Sequence, residues 1–185
     1  TALADALAAA VTTLPKGRRL RVLEIGAGTG GTTSYVLPRL DPDKVDYTFT
    51  DISPLFLERA AAQFDFYPSL QCRLLDIERD PAAQGFARAH YDVVIAANVL
   101  HATADLRQTL AHVRGLLAPD GLLFLLEGVA PERWVDLTFG MTPGWWRFTD
   151  TALRPDYPLI DTPRWLELLE AEGFGESAAV PGENP

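Results

Sequence analysis

The stretch of sequence that decides the fold is residues 22–31, VLEIGAGTGG. It predicts a short buried strand, then a glycine-rich turn, then a helix that opens at Thr32. Glycine at positions 26 and 28 allows a positive φ and lets a ligand approach the backbone closely. The free N–H groups at the start of the following helix would then face that ligand. The pattern therefore predicts a ligand-binding strand–turn–helix unit.

Glu24 indicates which ligand the turn would hold. The glycines alone are ambiguous, because Gly26, Gly28 and Gly31 also satisfy the dinucleotide pattern G-x-G-x-x-G. A carboxylate two residues before the first glycine would repel a pyrophosphate, whereas it suits a ligand with an ammonium group. S-adenosylmethionine carries that amine and no phosphate, and E-x-G-x-G-x-G resembles the nucleotide-binding motif of class I methyltransferases. The resemblance implies S-adenosylmethionine as the cofactor, with Gly30 in the same turn.

Two further acids are expected at the same edge of the predicted sheet. Asp51 follows a predicted strand at 47–50 and could accept ribose hydroxyls in NAD enzymes and methyltransferases alike. Asp76 follows a predicted strand at 70–75 and could accept from the adenine amino group, although alone it is as readily a helix cap. Ligands bind at the carboxyl edge of open α/β sheets. The remaining residues predicted to bind the cofactor follow the second, third and fourth strands: Ile52, Ile77 and Asn98.

Alternating strands and helices predict an α/β fold. Strands are expected at about 20–25, 47–50, 70–75, 91–98 and 122–127, and residues 119–121 are expected to form the turn before the last of them. Helices are expected at 2–14, 32–40, 105–117 and 162–172, the third because apolar residues at 106, 110, 113, 116 and 117 lie on one helical face. Such alternation gives a mostly parallel sheet with helices on both faces, the Rossmann-like core of class I methyltransferases. Ser53 and Thr162 are the predicted caps of the helices that follow them. A last strand is predicted near 177–180.

Composition limits the class of partner. The 185 residues carry a net charge of −9 and contain no apolar run of membrane-spanning length, which argues against nucleic acid and membrane. The single Cys72 excludes an internal disulfide, no metal-ligand spacing is present, and a cytoplasmic setting is expected. The chain starts at Thr1 and its only methionine is Met141. We therefore expect a single domain over 1–185, cut from a larger multidomain protein.

A catalytic base is predicted after the fourth and fifth strands. His101 follows the fourth strand within 98–103, NVLHAT, and Glu127 ends the neighbouring fifth strand. Imidazole titrates near neutral pH, and a carboxylate on its second nitrogen fixes the tautomer and raises the basicity. Each residue alone is as readily a loop or surface residue, but their shared position favours a functional pair. His90 and His112 lack this context and are interpreted as structural or solvated.

Several blocks of sequence resemble the C-methyltransferase domains of modular and iterative polyketide synthases. They are residues 98–103, 126–127, 133–140, 153–159 and, most specifically, GWWRF at 144–148. The resemblance implies that S-adenosylmethionine methylates the α-carbon of a β-ketoacyl chain tethered to acyl carrier protein. It implies that His101 and Glu127 form the dyad that deprotonates this carbon. The implied partners are the carrier-bound substrate and other domains of the same synthase.

Other segments matching that family have two interpretations. The aromatic stretch 134–148 either walls an acyl pocket or packs as core. Arg133, Arg147 and Arg154 could meet the phosphate of the carrier's phosphopantetheine, or could be ordinary surface residues. Family members carry an N-terminal helical lid and a final antiparallel strand, which we expect to be absent or truncated here.

Three alternative functions stay open from the sequence. A polyketide O-methyltransferase would share the same core and could use a histidine base. A non-catalytic, structural methyltransferase-like domain is disfavoured because Glu24, Asp51 and His101 are intact. An NAD-dependent enzyme is disfavoured by Glu24.

Overall fold

The computed structural model describes residues 17–180 together with residues 3, 5–7 and 9. The strands run Leu20–Ile25 (β1), Val45–Asp51 (β2), Leu70–Leu74 (β3), Tyr91–Ala97 (β4) and Leu117–Leu126 (β5). The helices with described bounds are Gly31–Val36 (α1), Pro54–Gln63 (α2), Leu106–Leu116 (α3), Arg133–Thr138 (α4) and Thr162–Ala171 (α5). The predicted α/β class is confirmed.

The strands form one sheet in the order β3-β2-β1-β4-β5. β1 pairs in parallel with both β2 and β4, and β2 pairs in parallel with β3. The chain winds outward from β1 to β3 and then returns to β4 on the other side of β1. Open sheets bind ligands outside the carboxyl ends of the strands at such a reversal. The turn that follows β1 is therefore at the position where a ligand is expected.

By its internal contacts the chain divides into two compact units. The first comprises Thr1–Ala97 and Gly115–Leu125, and the second comprises Asn98–Arg114 and Leu126–Pro185. The expected single domain over 1–185 stays a prediction.

The first unit is built around the two faces of the sheet. Val22 and Leu23 in β1 have no exposed surface, and burying such side chains stabilises a fold by about 1.5–3 kcal/mol each. Leu7 is also fully buried in this core. Residues 3, 5–7 and 9 are helical, as predicted, and the rest of the helix predicted at 2–14 lies outside the described residues.

The second unit takes much of its core from α3 and α5. Leu106, Leu110 and Val113 are fully buried, and their spacing places them on one face of α3, as the sequence predicted. Trp165 and Leu168 are the buried residues of α5.

Of the two predicted helix caps, the N-cap position of Ser53 is confirmed and the cap at Thr162 is wrong. Ser53 occupies the N-cap position of α2, but its side chain makes no capping hydrogen bond. Asp161, not Thr162, caps α5, because its carboxylate accepts the N–H of Arg164 at 2.9 Å. A carboxylate accepts this hydrogen bond at least as well as a threonine hydroxyl does.

Two predicted strands also differ. Residues 177–180 form no strand, since no neighbouring strand among the described residues pairs with them. β5 starts at Leu117 and not at the predicted position 122. Asp120, in the predicted turn 119–121, has a φ of 61° inside that strand. The turn is therefore a local distortion within β5.

Candidate functional site

The glycine turn after β1 has the backbone that the sequence predicts. Gly26, Gly28 and Gly30 have φ values of 58°, 56° and 76°, which residues with a side chain rarely adopt. A Cβ on Gly28 would meet nothing nearer than the Gly26 carbonyl at 3.9 Å, so the backbone there is open to a ligand. A Cβ on Gly30 would lie 2.9 Å from the Phe64 ring. Gly30 therefore also serves the packing of the first unit.

Asp51 holds this turn in place. Its Oδ2 accepts the N–H of Gly28 at 3.0 Å, and its Oδ1 accepts the N–H of Ser53 at 2.8 Å. The residue is 6% exposed. Each carboxylate oxygen has a second lone pair. The group can therefore still accept ligand hydroxyls while it braces the turn.

Glu24 is buried inside the first unit. It is 1% exposed, and its Oε2 accepts the hydroxyls of Thr33 and Tyr47 at 2.5 and 2.6 Å. Burial raises the pKa of Glu24, and burial together with the Glu24 charge raises the pKa of Tyr47. Through these two hydrogen bonds Glu24 links β1 to α1 and to β2. Its predicted direct contact with an ammonium group stays a prediction.

The segments that follow β2 and β3 differ in how far their predicted cofactor-binding side chains are exposed. Ile52 is 60% exposed and offers apolar surface, whereas Ile77 is 6% exposed. Asp76 is half-buried, and the Gln84 side chain bonds both its N–H and its carbonyl at 2.8 Å. Gln84 was not identified from the sequence, because its side chain acts on the backbone of Asp76. Roles of these three predicted residues in cofactor binding stay predictions.

His101 and Glu127 are brought together in the second unit. His101 Nδ1 is hydrogen-bonded to Glu127 Oε2, and Glu127 Oε1 accepts the N–H groups of Val99 and Leu100 at 3.0 and 2.8 Å. The Glu127 side chain is 2% exposed and the His101 side chain 11%. With the carboxylate ionised, Nδ1 carries the proton and Nε2 is the basic nitrogen. This arrangement is suited to accept a proton at Nε2.

Asn98 directs the chain from β4 into the turn that carries His101. It is exposed, has a φ of 52° and donates its N–H to the Leu126 carbonyl at 2.7 Å. Asparagine tolerates the left-handed region better than most residues. The 3₁₀ turn Leu100–Ala102 follows immediately. Asn98 therefore has a structural task, and its predicted contact with cofactor stays a prediction.

The sequence missed the role of Arg154. The residue has no exposed surface, and its guanidinium donates to the His101 carbonyl at 2.8 Å and to Asp150 Oδ1 at 2.6 Å. Its interpretation as a phosphate ligand is therefore wrong, because the donors are buried and engaged within the fold. Arg133 and Arg147 are exposed, and a phosphate contact for them stays a prediction.

One tryptophan of the aromatic stretch packs against the imidazole. Trp145 is 6% exposed, and its ring lies edge-on to His101 with centroids 5.2 Å apart. Trp134 and Trp146 are 62% and 46% exposed. The stretch is therefore neither uniformly core nor uniformly pocket wall.

The other histidines have ordinary surroundings. His90 Nδ1 lies 3.5 Å from Arg21 Nη1, and its ring packs edge-on against Tyr91. His112 is half-buried on α3. Within the described part of the chain, no group of three or more His, Cys, Asp or Glu residues could hold a metal ion. No helix in that part is long and apolar enough to cross a membrane.

Residues 23–123, more than half of the chain, match the family described as methyltransferase domain. The chain belongs to this methyltransferase family. The matched residues include the glycine turn, Asp51, Asp76 and His101, and end before Glu127. The predicted class I methyltransferase core is confirmed by the solved structures that this methyltransferase domain resembles.

The proteins similar to this chain include a polyketide synthase and two solved methyltransferases. Polyketide synthase ThaG of Burkholderia thailandensis is 45% identical over 96% of this chain and 3% of its own length. The CurJ carbon methyltransferase is 50% identical, with a TM-score of 0.91 over 98% of this chain and 50% of that one. The trans-methyltransferase CalH in complex with SAH is 43% identical, with a TM-score of 0.82 over 92% and 47%. This methyltransferase domain thus spans about half of either solved chain.

Proposed function

We propose that this domain transfers a methyl group from S-adenosylmethionine to the α-carbon of a β-ketoacyl chain tethered to acyl carrier protein. The observation that carries the proposal is the mostly buried His101–Glu127 pair, whose carboxylate is itself held by two backbone N–H groups. The α-carbon of a β-ketoacyl group must lose a proton to form the enolate that is methylated, and this pair is suited to remove it. The similarity to a carbon methyltransferase supports the choice of acceptor.

His101 is the proposed general base. Its Nε2 accepts the α-proton, and the electron pair of the broken C–H bond passes into the enolate of the substrate. The imidazolium that results keeps its Nδ1–H bonded to Glu127, and a charge-assisted hydrogen bond of this kind stabilises it. Glu127 stays in place because Val99 and Leu100 hold its other oxygen.

The proposed cofactor-binding residues belong to the glycine turn and to the segments after β2, β3 and β4. They are Glu24, Gly26, Gly28, Gly30, Asp51, Ile52, Asp76, Ile77 and Asn98. The open backbone at Gly28 and the spare lone pairs of Asp51 fit a nucleoside with ribose hydroxyls. When bound, S-adenosylmethionine supplies an electrophilic methyl group on a sulfonium and leaves as a neutral thioether, SAH. The SAH complex of CalH supports this cofactor.

The proposed partners are other domains of one synthase and an acyl carrier protein that delivers the substrate. Nearly all of this chain matches a segment that makes up 3% of the length of the polyketide synthase ThaG, which supports this organisation. A cytoplasmic setting is proposed with it. Because the domain covers only part of its relatives, the activity is proposed for the intact protein that contains these residues.

The test is to locate the transferred methyl group. The intact protein is incubated with acetoacetyl-loaded carrier protein and S-adenosylmethionine labelled with ¹³C in its methyl group. We expect a product whose labelled carbon has an aliphatic shift and couples to the α-carbon. A methoxy shift would instead establish O-methylation. Cofactor binding without any transfer would identify a non-catalytic domain, and either result would overturn the proposal.

A further inference from the structure

We propose that Arg154, together with Asp150, positions the turn that carries His101 and contacts neither substrate nor cofactor. This inference rests on the proposed function of His101 as the base. Arg154 has no exposed surface, although arginine is rarely buried without a specific partner. Its burial therefore requires an explanation within the fold.

The guanidinium donates hydrogen bonds to three backbone carbonyls within residues 101–104. Nη1 donates to the His101 carbonyl at 2.8 Å, while Nη2 donates to the carbonyls of Thr103 and Ala104 at 2.8 and 3.2 Å. The guanidinium is planar and its donors have a fixed geometry. Three carbonyls bound to one rigid group cannot reorient independently. Arg154 therefore restricts the backbone of His101 and of the residues that follow it.

Asp150 fixes the guanidinium in turn. Its Oδ1 accepts from Arg154 Nε at 2.6 Å, and its Oδ2 accepts the N–H of Leu106, the first residue of α3, at 3.0 Å. The side chains of Asp150 and Arg154 are 9% and 0% exposed. A buried cation is costly unless it is paired and hydrogen-bonded. The pair therefore links the turn to the start of α3 without leaving a buried charge uncompensated.

The backbone around His101 is consequently held from two directions. Glu127 accepts the N–H groups of Val99 and Leu100, which precede His101, and Arg154 binds the carbonyl of His101 itself. The alignment of Nδ1 with Glu127 depends on both restraints. Loss of Arg154 would leave three carbonyls without this donor and would let the turn relax, so the imidazole would lose its alignment.

The test compares variants of the intact protein. Arg154→Met removes the donors and the charge at similar length, Arg154→Lys keeps the charge, and Arg164→Met changes an exposed arginine on α5 as the matched control. The measured reaction is exchange of the α-proton of acetoacetyl-N-acetylcysteamine in D₂O without cofactor. Calorimetry reports S-adenosylmethionine affinity, and circular dichroism reports the folded fraction.

We expect Arg154→Met to lower kcat for exchange by roughly tenfold to a hundredfold, because small misplacement of a catalytic group has effects of this size. KM and cofactor affinity should stay within about twofold, because Arg154 contacts neither ligand. Arg154→Lys should recover part of the rate, and Arg164→Met should match the wild type. A kcat for Arg154→Met within about twofold of wild type would overturn the proposal. A loss that only matches the unfolded fraction would also overturn it.

Proton NMR provides an independent measurement. The downfield resonance of the hydrogen-bonded His101 Nδ1–H is assigned by its disappearance in His101→Ala. We expect it to broaden or shift in Arg154→Met and to stay unchanged in Arg164→Met; no change in Arg154→Met contradicts the inference. If Arg154→Met does not fold, Arg154→Lys and Asp150→Asn are judged by the same criteria. Undiminished exchange in His101→Ala would refute the proposed base, while the resonance would still decide the role of Arg154.

Discussion

The backbone N–H of Gly28 donates to Oδ2 of Asp51 at 3.0 Å, so the acid at the end of β2 holds the glycine turn that follows β1. The two features that the sequence identifies separately as cofactor-binding are therefore one hydrogen-bonded unit. A change in either should alter the geometry of both.

Gly28→Val should greatly weaken S-adenosylmethionine binding. The φ of 56° at this position costs a residue with a side chain about 1–2 kcal/mol, and a β-branched side chain would also occupy the open space above the turn. We expect calorimetry to show at least a roughly tenfold loss of affinity. Gly31→Ala is the control, because a Cβ there meets nothing within 4 Å. Wild-type affinity in Gly28→Val would refute the proposed cofactor site.

Asp51→Ala should lower both cofactor affinity and thermal stability. It removes two hydrogen bonds from backbone N–H groups to a carboxylate, each worth about 1.5–3 kcal/mol. Asp46→Ala is the matched control, since Asp46 lies on the same strand in an exposed ion pair with Arg19 worth about 0–1 kcal/mol. Calorimetry and thermal melting measure the two effects. Equal behaviour of the two variants would contradict a role for Asp51.

Replacement of Glu24 should change how stability depends on pH. Burial raises the pKa of Glu24 above its ordinary value of 4.5, so the folded protein retains a proton that the unfolded chain has lost. The contribution of this group to the free energy of unfolding therefore falls as pH rises from 4.5 through the raised pKa. Glu24→Gln cannot titrate, so its stability relative to wild type should increase over that window. Urea unfolding across a pH series measures this difference.

Asp92 is the control, because its pKa shift is opposite in sign to that of Glu24. Burial raises the pKa of Asp92, but hydrogen bonds from Arg21 and the charges of Arg21 and Arg18 outweigh it and lower the pKa below 3.8. Its stabilising contribution is present above 3.8 and is lost as pH falls through the lowered pKa. The loss in free energy of unfolding caused by Asp92→Asn should accordingly become smaller as pH falls. Parallel pH dependences for the two variants would contradict both assignments.

Glu127→Gln should inactivate the proposed base by inverting its tautomer. The N–H groups of Val99 and Leu100 require an acceptor, so the glutamine carbonyl should take that side and its NH₂ should face His101 Nδ1. An NH₂ group only donates, so Nδ1 becomes the acceptor and the proton moves to Nε2. α-Proton exchange should fall on the order of 10²-fold or more, about as far as in His101→Ala.

The control for that experiment is His90→Ala, which changes a histidine in the first unit. It should exchange the α-proton at the wild-type rate. Retained exchange in Glu127→Gln, or ¹⁵N shifts showing an unchanged imidazole tautomer, would rule out the His–Glu mechanism.

The turn and the dyad could be predicted because side-chain chemistry marks them. The positive φ at Gly28 follows from the glycine itself, and His101 and Glu127 stand where neighbouring strands end. Periodicity likewise predicted the buried face of α3.

The features that were missed depend on main-chain partners or on competition between nearby groups. Arg154 binds three backbone carbonyls, which no residue type reveals, so the sequence suggested a surface arginine. Asp161 takes the cap that Thr162 was predicted to form. The strand predicted near 177–180 did not form, because a strand also needs a neighbour to pair with.

The backbone hydrogen bonds to Glu127 determine when the His101 side chain becomes ordered. Val99 and Leu100 orient the carboxylate, and the carboxylate orients the imidazole, before the proposed acyl substrate binds. Little reorganisation of the proposed base is then needed during proton transfer, which is the property that makes a fixed polar environment effective. The entropy of ordering this histidine is lost when the chain folds. The interaction energy of the proposed acyl chain would therefore remain available to orient its α-carbon.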